Sequence, residues 1–138
     1  MRPKELLFKA LRHETIDQVP WVPFAGVHAG RLKGFDATEV LTDENKLVES
    51  LLEVNKLYKP HGQPVVFDLQ IEAECLGCEL VWAPKAPPSV KTHPLAGNMV
   101  VPCKCTIPTP ESGRLRMVLS TMRRMKAEVG DTTALYGL

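Results

Sequence analysis

Apolar residues recur along the chain at helical spacing in three stretches, and run uninterrupted in several shorter ones. Residues 3–12 place Leu6, Leu7, Ala10 and Leu11 on one face, with Pro3 in the first turn, where its missing N–H costs nothing. Residues 43–58 carry a second stripe of Leu47, Val48, Leu51, Leu52, Leu57 and Tyr58. Thr42 can cap that helix, Asp43 and Glu44 complement its dipole, and Pro60 and Gly62 stop it. In residues 111–129, Leu115, Val118, Leu119, Met122, Met125 and Val129 line one face, and Gly130 ends the helix. The segment 19–24 is extended, because Pro20 and Pro23 push the residues before them toward β or polyproline geometry. The same prolines keep it out of a regular two-sided ladder. Val65, Val66 and Phe67 predict a strand over 65–69 that is buried on both faces. A short helix over 70–77, a short strand over 78–82 and a buried strand over 134–138 complete the pattern.

Helices thus alternate with short buried strands, which is the α/β rhythm of a parallel sheet. Residues 83–110 interrupt it with seven prolines, from Pro84 to Pro110, and predict a surface excursion with a hairpin around 95–99. The three main strand candidates, 19–24, 65–69 and 134–138, would leave long apolar edges if they formed a whole sheet. The last comprises only the final five residues, Ala134 to Leu138, so the expectation is a chain cut inside its third strand.

Composition narrows the class. With 138 residues, 44% hydrophobic and 24% charged, the chain matches a soluble globular domain, not collagen, a coiled coil, a disulfide miniprotein or a disordered tail. Seventeen Lys and Arg against sixteen Asp and Glu leave no basic surplus for nucleic acid. No run of 18 apolar residues spans a membrane, and charges at Lys4, Glu5 and Lys9 exclude a signal peptide. The expected location is the cytoplasm, with its four cysteines reduced.

Three constellations could carry chemistry. Asp68 lies at the C-terminal end of a predicted buried strand, the end that hosts chemistry in α/β folds. There its two oxygens can orient a substrate or bind several N–H groups; equally, they can cap the short helix that follows. His28 and Arg31 follow the first extended segment, in Ala25-Gly-Val-His-Ala-Gly-Arg31. Arg offers a planar fork for carboxylates and His titrates near neutrality, although an isolated pair in a loop is also ordinary solvated surface. If both loops follow parallel strands, these residues share one face of a barrel. Cys75-Leu-Gly-Cys78 with Cys103-Lys-Cys105 is the third; a C-x₂-C half-site suits zinc, and the alternative is four reduced structural thiols. The basic face at Arg116, Arg123, Arg124 and Lys126 reads as solvated surface, and Met117, Met122 and Met125 read as packing.

Ala29-Gly-Arg31, the helix at 43–58 and the run Val65-Val-Phe-Asp-Leu-Gln-Ile-Glu-Ala-Glu-Cys-Leu-Gly77 together resemble the uroporphyrinogen decarboxylase superfamily. The resemblance extends through 81–95 and the helix at 111–129. It implies an α/β fold, the N-terminal portion of a (β/α)₈ TIM barrel truncated near the third strand, since a closed barrel needs about 250 residues. Position by position, Asp68 matches the aspartate that reads pyrrole N–H groups in the decarboxylases. Arg31 matches an arginine of their Arg-Gln-Ala-Gly-Arg loop. His28 stands where that loop has glutamine, and Val27 where it has its first arginine. The run 67–74 is closer to the branch of cobalamin-dependent methyltransferases. The implied activity is transfer of a methyl group from a methylcorrinoid protein to a thiol such as coenzyme M, or a related acceptor. In that branch zinc activates the thiol from His and Cys residues later in the barrel, so no metal ligand is assigned here. Zinc and methylcobalamin belong to the complete enzyme. The implied partner is a corrinoid protein or a tetrapyrrole-type substrate. Uroporphyrinogen decarboxylase itself is the alternative, and an inactive truncation or small binding protein is the non-enzyme alternative.

Overall fold

The computed structural model describes residues 1–94, 96–97 and 107–137. Helix α1 (Pro3–Leu11) opens with Pro3 at its first turn, as the pattern predicts, and Glu5 accepts from the Arg2 backbone N–H at 3.1 Å. After it the chain runs extended, but no strand forms over 19–24. The Trp21 carbonyl accepts from His61 N–H at 2.8 Å and Trp21 N–H donates to His61 Nδ1 at 2.9 Å. Pro20 and Pro23 have no N–H to continue that pairing into a ladder.

Helix α2 (His28–Arg31) and helix α3 (Ala37–Thr42) follow. The apolar pattern predicts neither, reading 25–31 as a loop, although Asp36 and Glu39 carry the signature of the second. Asp36 accepts from Glu39 N–H at 2.8 Å, and Glu39 accepts from Asp36 N–H at 2.9 Å. Helix α4 (Glu44–Tyr58) is capped by Asp43, which accepts from Asn45 and Lys46 N–H, not by Thr42, which is the last residue of α3. Lys59 in the left-handed region (φ +46°) and Pro60 end it.

Strand β1 (Gly62–Pro64) pairs in parallel with strand β4 (Ala134–Tyr136), Gln63 opposite Leu135, and Val65 N–H extends the ladder to the Tyr136 carbonyl. The regular strand thus starts earlier than 65–69. Every residue from Gly62 to Asp68 is nevertheless buried. Val65 and Phe67 join the main core with Leu47, Leu51, Val54 and Met125, whereas Val66 joins Ile71 and Val118. Alternate residues therefore enter two cores, as expected of a strand covered on both faces. Gly62 is needed where α1 crosses: a Cβ there would lie 2.7 Å from Leu7 Cδ2.

Helix α5 (Ile71–Cys75) is the short acidic helix of the pattern. Strand β2 (Leu80–Ala83) and strand β3 (Ala86–Val90) form an antiparallel hairpin with an irregularity between Val81 and Ala83. The first part of the proline-rich stretch is therefore a strand, and its prolines sit where a two-stranded sheet has only edges. The expected hairpin around 95–99 lies largely outside the described residues. Helix α6 (Leu115–Val129) starts four residues later than predicted, because Gly113 takes φ +48°, outside the right-handed helical region. Among the described residues the architecture is mixed α/β, two two-stranded sheets with helices and no closed barrel. None of its helices is long and apolar enough to cross a membrane.

A buried polar network ties β1 to its neighbours. Gln63 donates to the Leu51 carbonyl at 2.8 Å and accepts from Asn55 Nδ2 at 2.9 Å; Asn55 Nδ2 also donates to Thr133 Oγ1 at 3.0 Å. Every side-chain group in it has a partner, which is what lets a glutamine sit in a core.

Candidate functional site

Asp68 sits at the end of the buried run that β1 begins, and its side chain is completely buried. Oδ1 accepts from Gln70 N–H at 2.8 Å, a local turn that orients the backbone entering α5. Oδ2 accepts from Arg114 Nη1 at 2.5 Å. The carboxylate thus has a local backbone donor and a charged partner, one on each oxygen; it does not cap α5, whose N-cap is Gln70 with no side-chain cap bond.

Arg114, in the turn just before α6, is the residue sequence reasoning missed. Its Nε donates to Glu74 Oε2 at 2.7 Å and its Nη1 also approaches the Leu41 carbonyl at 3.3 Å. The guanidinium carbon lies 4.8 Å from the centre of the Trp82 ring, within cation–π range. One side chain therefore gathers the end of the β1 run, α5, the end of α3, β2 and the start of α6. Its Nη2 is buried with no hydrogen-bond partner among the described residues. No spacing in the sequence signals this cluster, because Asp68 lies 46 positions from Arg114 and Glu74 lies 40.

Arg31 is exposed, at the end of α2. It lines a cleft of about 420 Å³ with Gly34, Phe35, Asp36, Pro84 and Lys85. Arg31, Lys85 and Asp36 are the charged groups in the cleft; none has an ion pair among the described residues, and Asp36 accepts from Glu39 N–H as the cap of α3. The hairpin leaves β2 through this cleft: Trp82 lies on Arg114 and Pro84, two residues on, lines the cleft. The loop is fastened to α3 by the Ala37 N–H to Pro84 carbonyl bond at 2.9 Å. Arg31 thus faces the β2–β3 turn, whereas Asp68 reaches the hairpin only through Arg114 on Trp82, and the two share no hydrogen bond.

His28 goes elsewhere. Its Nε2 lies 3.0 Å from Tyr58 Oη, with the rings stacked at 6.5 Å. Tyr58 is the last residue of α4, whereas Leu41, beside Arg114, precedes its first; a 15-residue helix spans about 22 Å. The two loop residues grouped by sequence are thus engaged with different elements.

Cys75 Sγ lies 3.6 Å from the Ser112 carbonyl, and burial, reinforced by the Glu74 carboxylate, pushes its thiol pKa up. A thiol held protonated is a poor metal ligand and a poor nucleophile. Among the described residues, no group of three or more His, Cys, Asp or Glu side chains is placed to hold a metal ion. Cys75 and Cys78 therefore do not fit zinc with the neighbours described, and Cys103 and Cys105 lie outside the described residues.

Comparison with known proteins adds the context. The family profile described as uroporphyrinogen decarboxylase (URO-D) matches residues 2–138. A solved structure, a methyltransferase from Methanosarcina mazei, superposes with a TM-score of 0.79 at 25% sequence identity. The match covers 99% of this chain and 42% of that one, so the chain spans less than half the length of this relative. No curated protein matches the sequence significantly.

Proposed function

The chain belongs to the uroporphyrinogen decarboxylase family, and on that premise we propose that it is the N-terminal part of a corrinoid-dependent methyltransferase. The observation that carries this reading is the match of 99% of the chain to a methyltransferase of known structure. The proposed reaction moves a methyl group from a methylcorrinoid protein to a thiol or related acceptor. The carbon–cobalt bond breaks, a sulfur–carbon bond forms, and the electron pair of the broken bond stays on cobalt. The thiolate's proton has already been lost to solvent.

The chain's own residues shape the mouth at the C-terminal end of the β1 run. Arg31 and Lys85 line a cleft suited to an anionic group of the acceptor or of the corrinoid. Asp68 and Arg114 hold the adjoining loop. Zinc, in this reading, is held by residues later in the complete barrel, and none of the residues described here is assigned to it.

The decarboxylase alternative is disfavoured by the same geometry. An aspartate that reads pyrrole N–H groups needs free acceptor oxygens, whereas here both oxygens of Asp68 are engaged and the side chain is sealed from solvent. Val27 also stands where the decarboxylase loop has a cation. The test uses the full-length protein with methylcobalamin and a panel of thiols. Thiol-dependent demethylation, followed by the cobalamin spectrum, is expected. Conversion of uroporphyrinogen to coproporphyrinogen without demethylation would overturn the proposal.

A further inference from the structure

Asp68 invites a role at the mouth, yet its carboxylate is buried and each of its oxygens already accepts one bond. What it controls directly is backbone. Through Oδ1 it fixes the N–H of Gln70, while Leu69 between them is 71% exposed. The chain leaves the core within one residue and enters a helix of only five residues. A helix that short does not hold its own orientation in water. Ile71 is the one buried residue of α5 and Cys75 packs on the same cluster, so packing anchors the loop at one place.

Arg114 supplies the second anchor. Its fork reaches Asp68 on one side and Glu74, inside α5, on the other, so it grips the loop at both ends. Trp82 beneath the guanidinium plane fixes the fork's own orientation. We infer that Arg114 is a positioning residue: by clamping Asp68 and Glu74 together it holds the loop Leu69–Gln70 in one orientation at the mouth of the site.

The inference deepens the methyl-transfer reading and rests on it for its kinetic consequence. Displacing groups at a reacting centre by about 1 Å costs on the order of 100-fold in rate. Lys cannot substitute fully. Its ammonium can meet one carboxylate, but it has no planar fork to hold two while stacking on indole.

The experiment uses the full-length protein, with Arg114→Ala, Arg114→Lys and Asp68→Asn compared in two measurements. In turnover, Arg114→Ala is expected to lower kcat about 100-fold with KM little changed, and Arg114→Lys to recover about tenfold of that loss. In hydrogen–deuterium exchange, peptides covering 69–74 should exchange faster in Arg114→Ala while core peptides from 47–54 stay protected. Asp68→Asn retains an oxygen for Gln70 N–H, and should loosen the loop less than Arg114→Ala does.

Wild-type kcat in Arg114→Ala would overturn the inference. So would equal losses in the Ala and Lys variants accompanied by faster exchange everywhere, which marks general destabilisation. If Arg114→Ala does not fold, the Lys and Asn variants decide by the same criteria. A wild-type protein that transfers no methyl group refutes the proposed function, whereas the exchange comparison still decides whether Arg114 clamps the loop.

Discussion

Replacing Asp68 by Ala tests the cluster thermodynamically. The change removes the acceptor that meets Arg114 Nη1 at 2.5 Å and Gln70 N–H at 2.8 Å. Nη1 is then left with the 3.3 Å approach to the Leu41 carbonyl, beside an Nη2 that already lacks a partner. Breaking a buried ion pair by deleting one partner costs about 3–5 kcal/mol, because a charge stays buried without its counter-charge. Glu74 remains 2.7 Å from Nε and offsets part of that, and Arg114 is itself 12% exposed, so the expected loss is about 3 kcal/mol, the low end of the range. Asp68→Asn keeps one oxygen and should cost about 1–2 kcal/mol. Urea denaturation of wild type, Asp68→Ala, Arg114→Ala and the double variant closes a cycle, with an expected coupling of about 2 kcal/mol. A coupling under about 0.5 kcal/mol, or an Asp68→Ala variant within about 1 kcal/mol of wild type, would refute the reasoning. The magnitude bears on any activity assay. Loss of turnover in Asp68→Ala is interpretable only at a temperature where that variant is folded.

Three further outcomes follow from separate parts of the fold. Gly30→Ala would put a Cβ 2.3 Å from Val40 Cγ2, forcing α2 away from α3; a loss of about 1–3 kcal/mol in thermal unfolding is expected, and an unchanged Tm would contradict the packing described. Alkylation of Cys75, followed by mass spectrometry across a pH series, should reach half its maximal rate at a higher pH than a peptide cysteine, because burial and Glu74 raise its pKa; a midpoint at or below the peptide's argues against that environment. Glu44 is held below the ordinary carboxylate range, first by its bond with Arg124 and then by Ser120. Its contribution is therefore present above its unfolded pKa and is lost as pH falls through the depressed folded value. The acid-side fall in Tm should be shallower in Glu44→Gln, and superimposable curves would remove Glu44 from the account.

What could be read in advance was what local pattern determines. The helices α1, α4 and α6 and the two-sided burial of residues 65–67 follow from the apolar pattern and are present, but Leu11, Leu57 and Tyr58, at the ends of the expected stripes, are exposed. Errors arose where one residue's backbone overrides a periodic face. Gly113 delays α6, and the two prolines before Phe24 turn an apparent strand into an unladdered extension. Helix α3, only six residues long, is missed by periodicity; its Asp36–Glu39 capping box is the local signal that marks it. At the site, Asp68 was found because a strand end is a local feature. Arg114 was not, because its partners come from four distant parts of the chain. His28 and Arg31, three residues apart, part company because His28 meets Tyr58 at the end of α4 while Arg31 lines the cleft with Pro84 and Lys85.

The stacking of Arg114 on Trp82 makes the protein its own optical instrument. The chain has two tryptophans, of which Trp21 is 54% exposed and remote from this pair in sequence. With Trp21 changed to Phe, the remaining indole emits from 4.8 Å beneath the guanidinium. Whatever moves that cation registers in the colour and yield of a single fluorophore. Arrival of a ligand beside Arg114 can then be timed without any label.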